Sequence, residues 1–359
     1  MPFERRILLA ARPPLTHLPP RRMEHFNQSM AWLAKRDGSL IIGHGPFEES
    51  NAPPAGGVSF YIQDFALRDA KPWKIPKTVE RTTAQEWTSR IGDASPPRCQ
   101  WAPLDAASFS VVFQEVMSSI QSGIFEKSVP VVTETGTLSE PPACSIMAAM
   151  IRQALPLHAY GWMHGNQGFS GATPELLLSL TGNRLETMAL AGTARSDDSS
   201  AFAFDEKEIR EHEYVAQTLV SKLLDLGPTK RSPREILNLG SIVHFLSHIG
   251  LDLQTHKTPD ELIRKLHPTP ALGPLPRTPE TLALLFEWRD RLGCPREFGA
   301  PFGLLDGAEF DAIVAIRGIW WKDRQLRLPS GCGVIEASRL VNEWRELRLK
   351  REAVKHFLG

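Results

Sequence analysis

Near the C-terminal end of the chain, Glu343, Glu346 and Lys350 in NEWRELRLK stand at i, i+3 and i+7. On a helix of 3.6 residues per turn, that spacing gathers two carboxylates and an amine within about 60° of one another. Trp344 and Leu347 flank the pair, so this face borders apolar surface. A second acidic group lies in EKEIREHEYV, where Glu208 and Glu211 share a helical side. Glu213 falls about 200° from Glu211 and cannot point at the same site. Either group alone is what a solvated helix with ordinary ion pairs presents. Together, carboxylates from two distant helices suit a hard divalent cation such as Mg²⁺, which takes one or two carboxylates, several waters and an anionic substrate.

Other residues add acid, base and anion-binding chemistry. Glu175 directly follows Pro174 in SGATPELLL and heads an apolar run. Partial desolvation there would raise its pKa and let it donate a proton near neutral pH. Lys127 in IFEKSVPVV is a lone lysine beside apolar residues, which near a metal ion and other cations could serve as a base. Arg317 falls within the apolar run AIVAIRGIWW; an arginine inside a strand needs an anion, and a carboxylate is its best partner. SGCG (330–333) and LAGTAR (190–195) are small-residue turns where backbone amides could approach a ligand. The set describes a pocket for a small polyanion with Mg²⁺.

The elements that must hold these groups are legible in part. The run 204–227 reads as a helix capped by Asp205, acidic in its first turns and ended by Gly227. Residues 107–125 have a helical apolar period, and a last helix starts near Arg339. TPELLLSL and RLETMAL, joined by Thr181-Gly182-Asn183, form a hairpin. EKSVPVVTETGTL, EFDAIVAIRGIWW and LRLPSG read as strands, as do SLIIGHG and GVSFYIQDFAL. LHPTPALGPLPRTP (266–279) carries five prolines in fourteen positions yet stays apolar. It can be neither helix nor central strand, so it braces a core or forms a pocket wall. Strands and helices mix without a regular βαβ alternation or a Gly-rich phosphate fingerprint, which predicts α+β and excludes a dinucleotide fold.

Composition narrows the class further. Of 359 residues 42% are hydrophobic and 23% charged, and Lys plus Arg equals Asp plus Glu at 41 each. That balance gives no overall field toward nucleic acid or an anionic membrane. No apolar run approaches the roughly 20 residues of a membrane span, and ILLAA in MPFERRILLAARPPL is too short for a secretory core. Cys99, Cys144, Cys294 and Cys332 are scattered, as expected of reduced thiols in a cytoplasm.

GATPELLLSL, LAGTAR, EKEIREHEYV, LHPTPALGPLP, IVAIRG, SGCGVI and NEWRELRLK follow in an order that resembles the chorismate-utilising enzymes. That family contains isochorismate synthase, salicylate synthase, and component I of anthranilate and aminodeoxychorismate synthases. The resemblance covers roughly residues 110–359, leaving 1–109 as a divergent part, and the HPTPA form looks most like isochorismate synthase. It implies a single α+β domain over 1–359, with two large antiparallel sheets packed together and helices outside. It also implies roles. Lys127 would be the general base that activates water for attack on ring carbon C2, and Glu175 the general acid for the departing C4 hydroxyl. Glu211 and Glu346 would bind Mg²⁺, with Glu343 acting through water. Arg317 and Lys350 would hold substrate carboxylates, with His244 near the ring carboxylate. Gly192, Thr193, Ala271, Leu272 and Gly331 would line the site.

The implied activity is a Mg²⁺-dependent, water-using isochorismate synthase in the cytoplasm, serving menaquinone, a siderophore or another pathway. Nucleic acid, membrane and an obligate glutamine amidotransferase are not expected partners. A salicylate synthase, which goes on to release pyruvate, shares the same lysine and glutamate. An ammonia-using anthranilate-type subunit and a non-catalytic chorismate binder are the other readings. The proline loop would present Ala271 and Leu272 to the ring as a stiff wall without hydroxyls, which favours stopping at isochorismate. Three positions depart from the family pattern: Gly273 comes one residue early, SGCG stands where AGAG is common, and Pro130 interrupts the strand after Lys127.

Overall fold

Every strand pairing among the described residues is antiparallel. A computed structural model describes residues 29–91, 96–139, 143–153 and 155–359. The N-terminal run MPFERRILLAARPPL lies outside them, as does the side chain of Cys144. One layer runs Cys99–Trp101, Val131–Leu138, Gln325–Gly331, Gly318–Lys322, Gln167–Thr173, His158–His164, Met30–Ala34, Ser39–Ser50 and Trp73–Thr83. The other runs Val58–Ile62, Pro301–Asp306, Glu309–Val314, Leu176–Thr181, Arg184–Arg195 and Ile242–Asp252, with Lys230–Arg231 and Glu235–Asn238 pairing onto the last. The two layers expected from the sequence are continuous at one edge, because Trp73–Thr83 pairs with Ser39–Ser50 on one side and with Val58–Ile62 on the other.

The layers fold onto one another. Phe302 lies 5.6 Å from the Tyr160 ring and 6.0 Å from Phe169, although their strands are far apart in the hydrogen-bonded order. Leu33, Ile41, Leu176, Leu185 and Phe310 join them in one core. Each such side chain removed from water contributes about 1.5–3 kcal/mol, which makes this face-to-face contact the main support of the architecture.

Helices cover the outside. Glu206–Leu223 starts where expected: the Asp205 side chain accepts from the Glu208 N–H at 3.1 Å, satisfying one free donor of the first turn. It buries Val215, Ala216, Leu219 and Leu223 and packs on Arg184–Arg195. Pro259–Leu266 and Pro279–Arg291 each open with a threonine capping box, Thr258 and Thr278, and bracket the proline loop. Ala107–Gln121 and Leu340–Phe357 share an apolar cluster around Phe109, Trp344 and Leu347. Among the described residues no helix is long and apolar enough to cross a membrane.

Two expected strands are broken, each for a local reason. EFDAIVAIRGIWW divides into Glu309–Val314 and Gly318–Lys322, because Arg317 sits between them at φ 56°, a left-handed backbone no strand can continue through. Arg317 is therefore in a bend and not in a strand interior. EKSVPVVTETGTL divides at Val129-Pro130: Lys127–Ser128 pairs with Val334–Ile335, while Val131–Leu138 pairs with Gln325–Gly331. Proline has no N–H to give a ladder, so the chain changes sheets there. The hairpin forms as read, with Thr181 paired to Arg184 and Gly182 at φ 61°. Cys99, Cys294 and Cys332 are free thiols.

Candidate active site

Breaks in the ladders supply the site. Glu175 precedes the strand Leu176–Thr181, Gly192 and Thr193 sit at an irregularity of Arg184–Arg195, Arg317 occupies its left-handed bend, and Gly331 ends Gln325–Gly331. All of them line one cavity together with Glu211, His244, Ala271, Leu272 and Lys350.

The apolar wall is Ala271 and Leu272, with Leu190 and Phe298. Its loop is pinned at both ends. Leu275 accepts from the Glu126 N–H at 2.7 Å and donates its own N–H to the Lys127 carbonyl at 2.8 Å. His267 Nε2 donates to the Phe65 carbonyl at 2.8 Å, and burial pushes that imidazole down to about 3, so it stays neutral. The loop both braces the core and forms the pocket wall, and it fixes the segment that carries Lys127.

The cationic side is Arg317 and Lys350. Arg317 Nη2 donates to His244 Nε2 at 2.8 Å, which leaves Nδ1 of His244 to donate to the Gly192 carbonyl at 2.7 Å. A guanidinium cannot accept, so this chain of bonds defines the His244 tautomer. Burial, then the charges of Arg317 and Lys350, hold the imidazole well below its ordinary pKa. His244 is thus a neutral group that aims Arg317 into the cavity. Lys350 Nζ donates to the Gly331 carbonyl at 2.8 Å and pairs with Glu346 Oε1 at 2.6 Å.

Glu175 is buried, with its backbone held by Thr173 and Val314. Burial pushes its carboxyl up to about 7, against the pull of Lys127, Lys350 and Arg317. Lys127 is fully buried and is not part of the cavity wall. Its Nζ lies 3.0 Å from Glu211 Oε1, an ion pair off hydrogen-bond geometry, and Glu211 does line the cavity. Gly333 packs on this pair so closely that a Cβ would stand 2.0 Å from Glu211 Oε1 and 2.8 Å from Lys127 Cε.

Glu343 and Glu346 lie beyond Glu211, in an acidic cluster centred on Lys207. Lys207 Nζ is 2.9 Å from Glu208, 3.2 Å from Glu343, 3.3 Å from Glu211 and 3.9 Å from Glu346. Burial, opposed by Lys207 and joined by Glu346 and Glu211, pushes Glu208 up to about 8. Burial and Glu346 push Glu343 up to about 7. Burial works the same way on Glu211, but Lys127, Lys207 and Lys350 outweigh it and hold that carboxyl well below its ordinary range. The donors are all hard oxygens, and the buried Glu343 Oε2 has no hydrogen-bond partner among the described residues. Both features suit Mg²⁺. Among the described residues no three side chains already stand at metal-ligating spacing; these four carboxylates converge on the ammonium instead. Sequence reading placed Glu208 on the right face without a role, gave Gly333 only as part of the SGCG turn, and missed Lys207. The signal for Lys207 is its i, i+4 relation to Glu211.

The family described as "Chorismate binding enzyme" matches residues 71–359. The "Salicylate biosynthesis isochorismate synthase" of Pseudomonas aeruginosa is 29% identical over 281 residues, covering 75% of this chain and 56% of that protein. "Isochorismate synthase EntC" of Escherichia coli (strain K12) is 28% identical over 201 residues, 53% of this chain and 50% of that protein. The chain thus spans about half the length of these curated relatives. The solved structure of MenF, the menaquinone-specific isochorismate synthase from Escherichia coli, superposes with a TM-score of 0.75 at 20% identity, over 92% of this chain and 89% of that one. It shares the fold. With the family match running across most of its length, the chain belongs to the chorismate binding enzymes.

Proposed function

We propose that the protein is an isochorismate synthase, an isomerase that adds water at C2 of chorismate and releases the C4 hydroxyl. The observation that carries this reading is one cavity holding a carboxyl raised to about 7, Glu175, beside two cations, Arg317 and Lys350. Two cations match the two carboxylates of chorismate, and the carboxyl matches a hydroxyl that must leave with a proton. Arg317, aimed by His244, and Lys350 hold the carboxylates, while the amides near Gly192, Thr193 and Gly331 shape the floor. Glu175 protonates the C4 hydroxyl. Lys127 stands one carboxylate away from the cavity and acts on water once Glu211 has another counter-charge.

Glu211 and Glu346 would hold Mg²⁺, with Glu343 acting through water; when bound, the ion supplies charge neutralisation for a substrate carboxylate. Ala271 and Leu272 offer no polar group to the ring, which supports release at the isochorismate stage. Water as nucleophile needs no glutamine amidotransferase. The product would enter menaquinone or siderophore biosynthesis in the cytoplasm.

Incubation of the purified protein with chorismate and Mg²⁺, with and without ammonium, followed by chromatography and mass analysis, tests this. Isochorismate approaching equilibrium with chorismate is expected. Salicylate with pyruvate would overturn the role of the Ala271 wall, an amine-bearing product would move the protein to ammonia-using chemistry, and Mg²⁺-dependent binding without turnover would make it a binder.

A further inference from the structure

The first turn of Glu206–Leu223 carries a lysine where a helix prefers acids. The free N–H groups of that turn disfavour an ammonium unless anions surround it. Lys207 has four, Glu208, Glu211, Glu343 and Glu346, with Nζ–O distances from 2.9 to 3.9 Å. They come from two helices, and the Glu211, Glu343 and Glu346 side chains are 7%, 1% and 9% exposed. Carboxylates buried this close repel one another strongly without a cation among them. The Lys207 ammonium sits inside the set as that cation, and the unpartnered Glu343 Oε2 is buried in the same cluster.

We propose that Lys207 is a positioning residue of the divalent-cation site: its ammonium keeps the four carboxylates converged while no metal is bound, and it swings out to solvent when a divalent cation takes its place. This rests on reading Glu211 and Glu346 as Mg²⁺ ligands. Mg²⁺–oxygen bonds are about 2.0–2.1 Å, shorter than any Lys207 contact, so the ion and the ammonium exclude each other by space as well as charge. The side chain has a way out, being 18% exposed at the helix start and carried on a flexible four-carbon stem. Displacing it costs affinity, so the native protein binds metal more weakly than one without this amine.

Mn²⁺ titration of substrate-free protein, read by the electron paramagnetic resonance of the free ion, tests this without any reaction. Lys207→Met should bind Mn²⁺ about tenfold more tightly or better, and Lys207→Arg, which keeps the charge, should stay near wild type. Equal or weaker binding by Lys207→Met overturns the proposal while leaving the metal reading intact. No saturable Mn²⁺ binding by wild type or Lys207→Met removes the metal reading itself, and the proposal with it. Acetic anhydride labelling of wild type, followed by mass spectrometry, covers the case of a variant that does not fold. Acetylation of Lys207 should rise several-fold on adding Mg²⁺, and unchanged labelling overturns the displacement.

Discussion

Glu175 is the residue whose surroundings say most about its work. A general acid must carry its proton, and burial gives this carboxyl a pKa of about 7. The limb of the pH profile set by Glu175 should fall about tenfold per pH unit above 7, checked by kcat/KM from pH 6 to 9. The same shift acts on stability. The folded pKa lies above the ordinary 4.5, so the contribution is fully present below about 4.5 and is lost as pH rises through about 7. Glu175→Gln should therefore be more stable than wild type at pH 8, by up to about 3 kcal/mol, with the difference vanishing toward pH 4.5. Urea unfolding at several pH values checks it; no gain at pH 8 would mean that the carboxyl is well solvated. Lys127 calls for a different measurement, because it is buried outside the cavity wall. Lys127→Ala should lose roughly 10²- to 10⁴-fold in kcat while chorismate still binds in the presence of Mg²⁺. Unchanged turnover would remove the lysine as base.

Between residues, short irregular stretches do the positioning. The chain leaves the ladder at Pro130 and at Arg317; the second departure puts Arg317 on the cavity wall, and the first lies beside Lys127, which sits behind that wall against Glu211. The return after Gln325–Gly331 brings Gly333 against the Lys127–Glu211 pair with no room for a Cβ. Gly333→Ala should push the carboxylate and amine apart and reduce turnover about 10²-fold with an unchanged far-ultraviolet circular dichroism spectrum. Near-native kinetics would show that the pair can yield without cost to the chemistry. The proline loop belongs to this scale as well. Its composition announced stiffness, but only the bonds from Leu275 to Glu126 and Lys127 connect that stiffness to Lys127 as well as to the cavity wall.

Across the whole molecule, the site depends on two layers folding face to face. Phe302 is buried at their junction, 5.6 Å from Tyr160, 6.0 Å from Phe169 and 6.4 Å from Phe60. Phe302→Ala should cost about 3–5 kcal/mol, seen as a lower urea midpoint, while kcat of the remaining folded fraction stays near wild type. A loss below about 1 kcal/mol would mean that the layers are held chiefly elsewhere. The local elements were legible without the fold: the capped helix Glu206–Leu223, the hairpin at Gly182 and the last helix all rest on periodicity and turn chemistry within a few residues. Motif order likewise singled out Glu175, Glu211, Arg317 and Lys350, which line one cavity. Reading EFDAIVAIRGIWW as one strand failed because apolar character alone does not reveal a left-handed residue held by contacts elsewhere in the chain. Whether Glu208, Glu211, Glu343 and Glu346 meet, and that Lys207 stands among them, depends on two helices brought together by sheets far apart in sequence. Residue type and local spacing were thus set by the sequence alone, whereas charge pairing, burial and the tautomer of His244 arose only from the tertiary structure, because each depends on neighbours that no local pattern records.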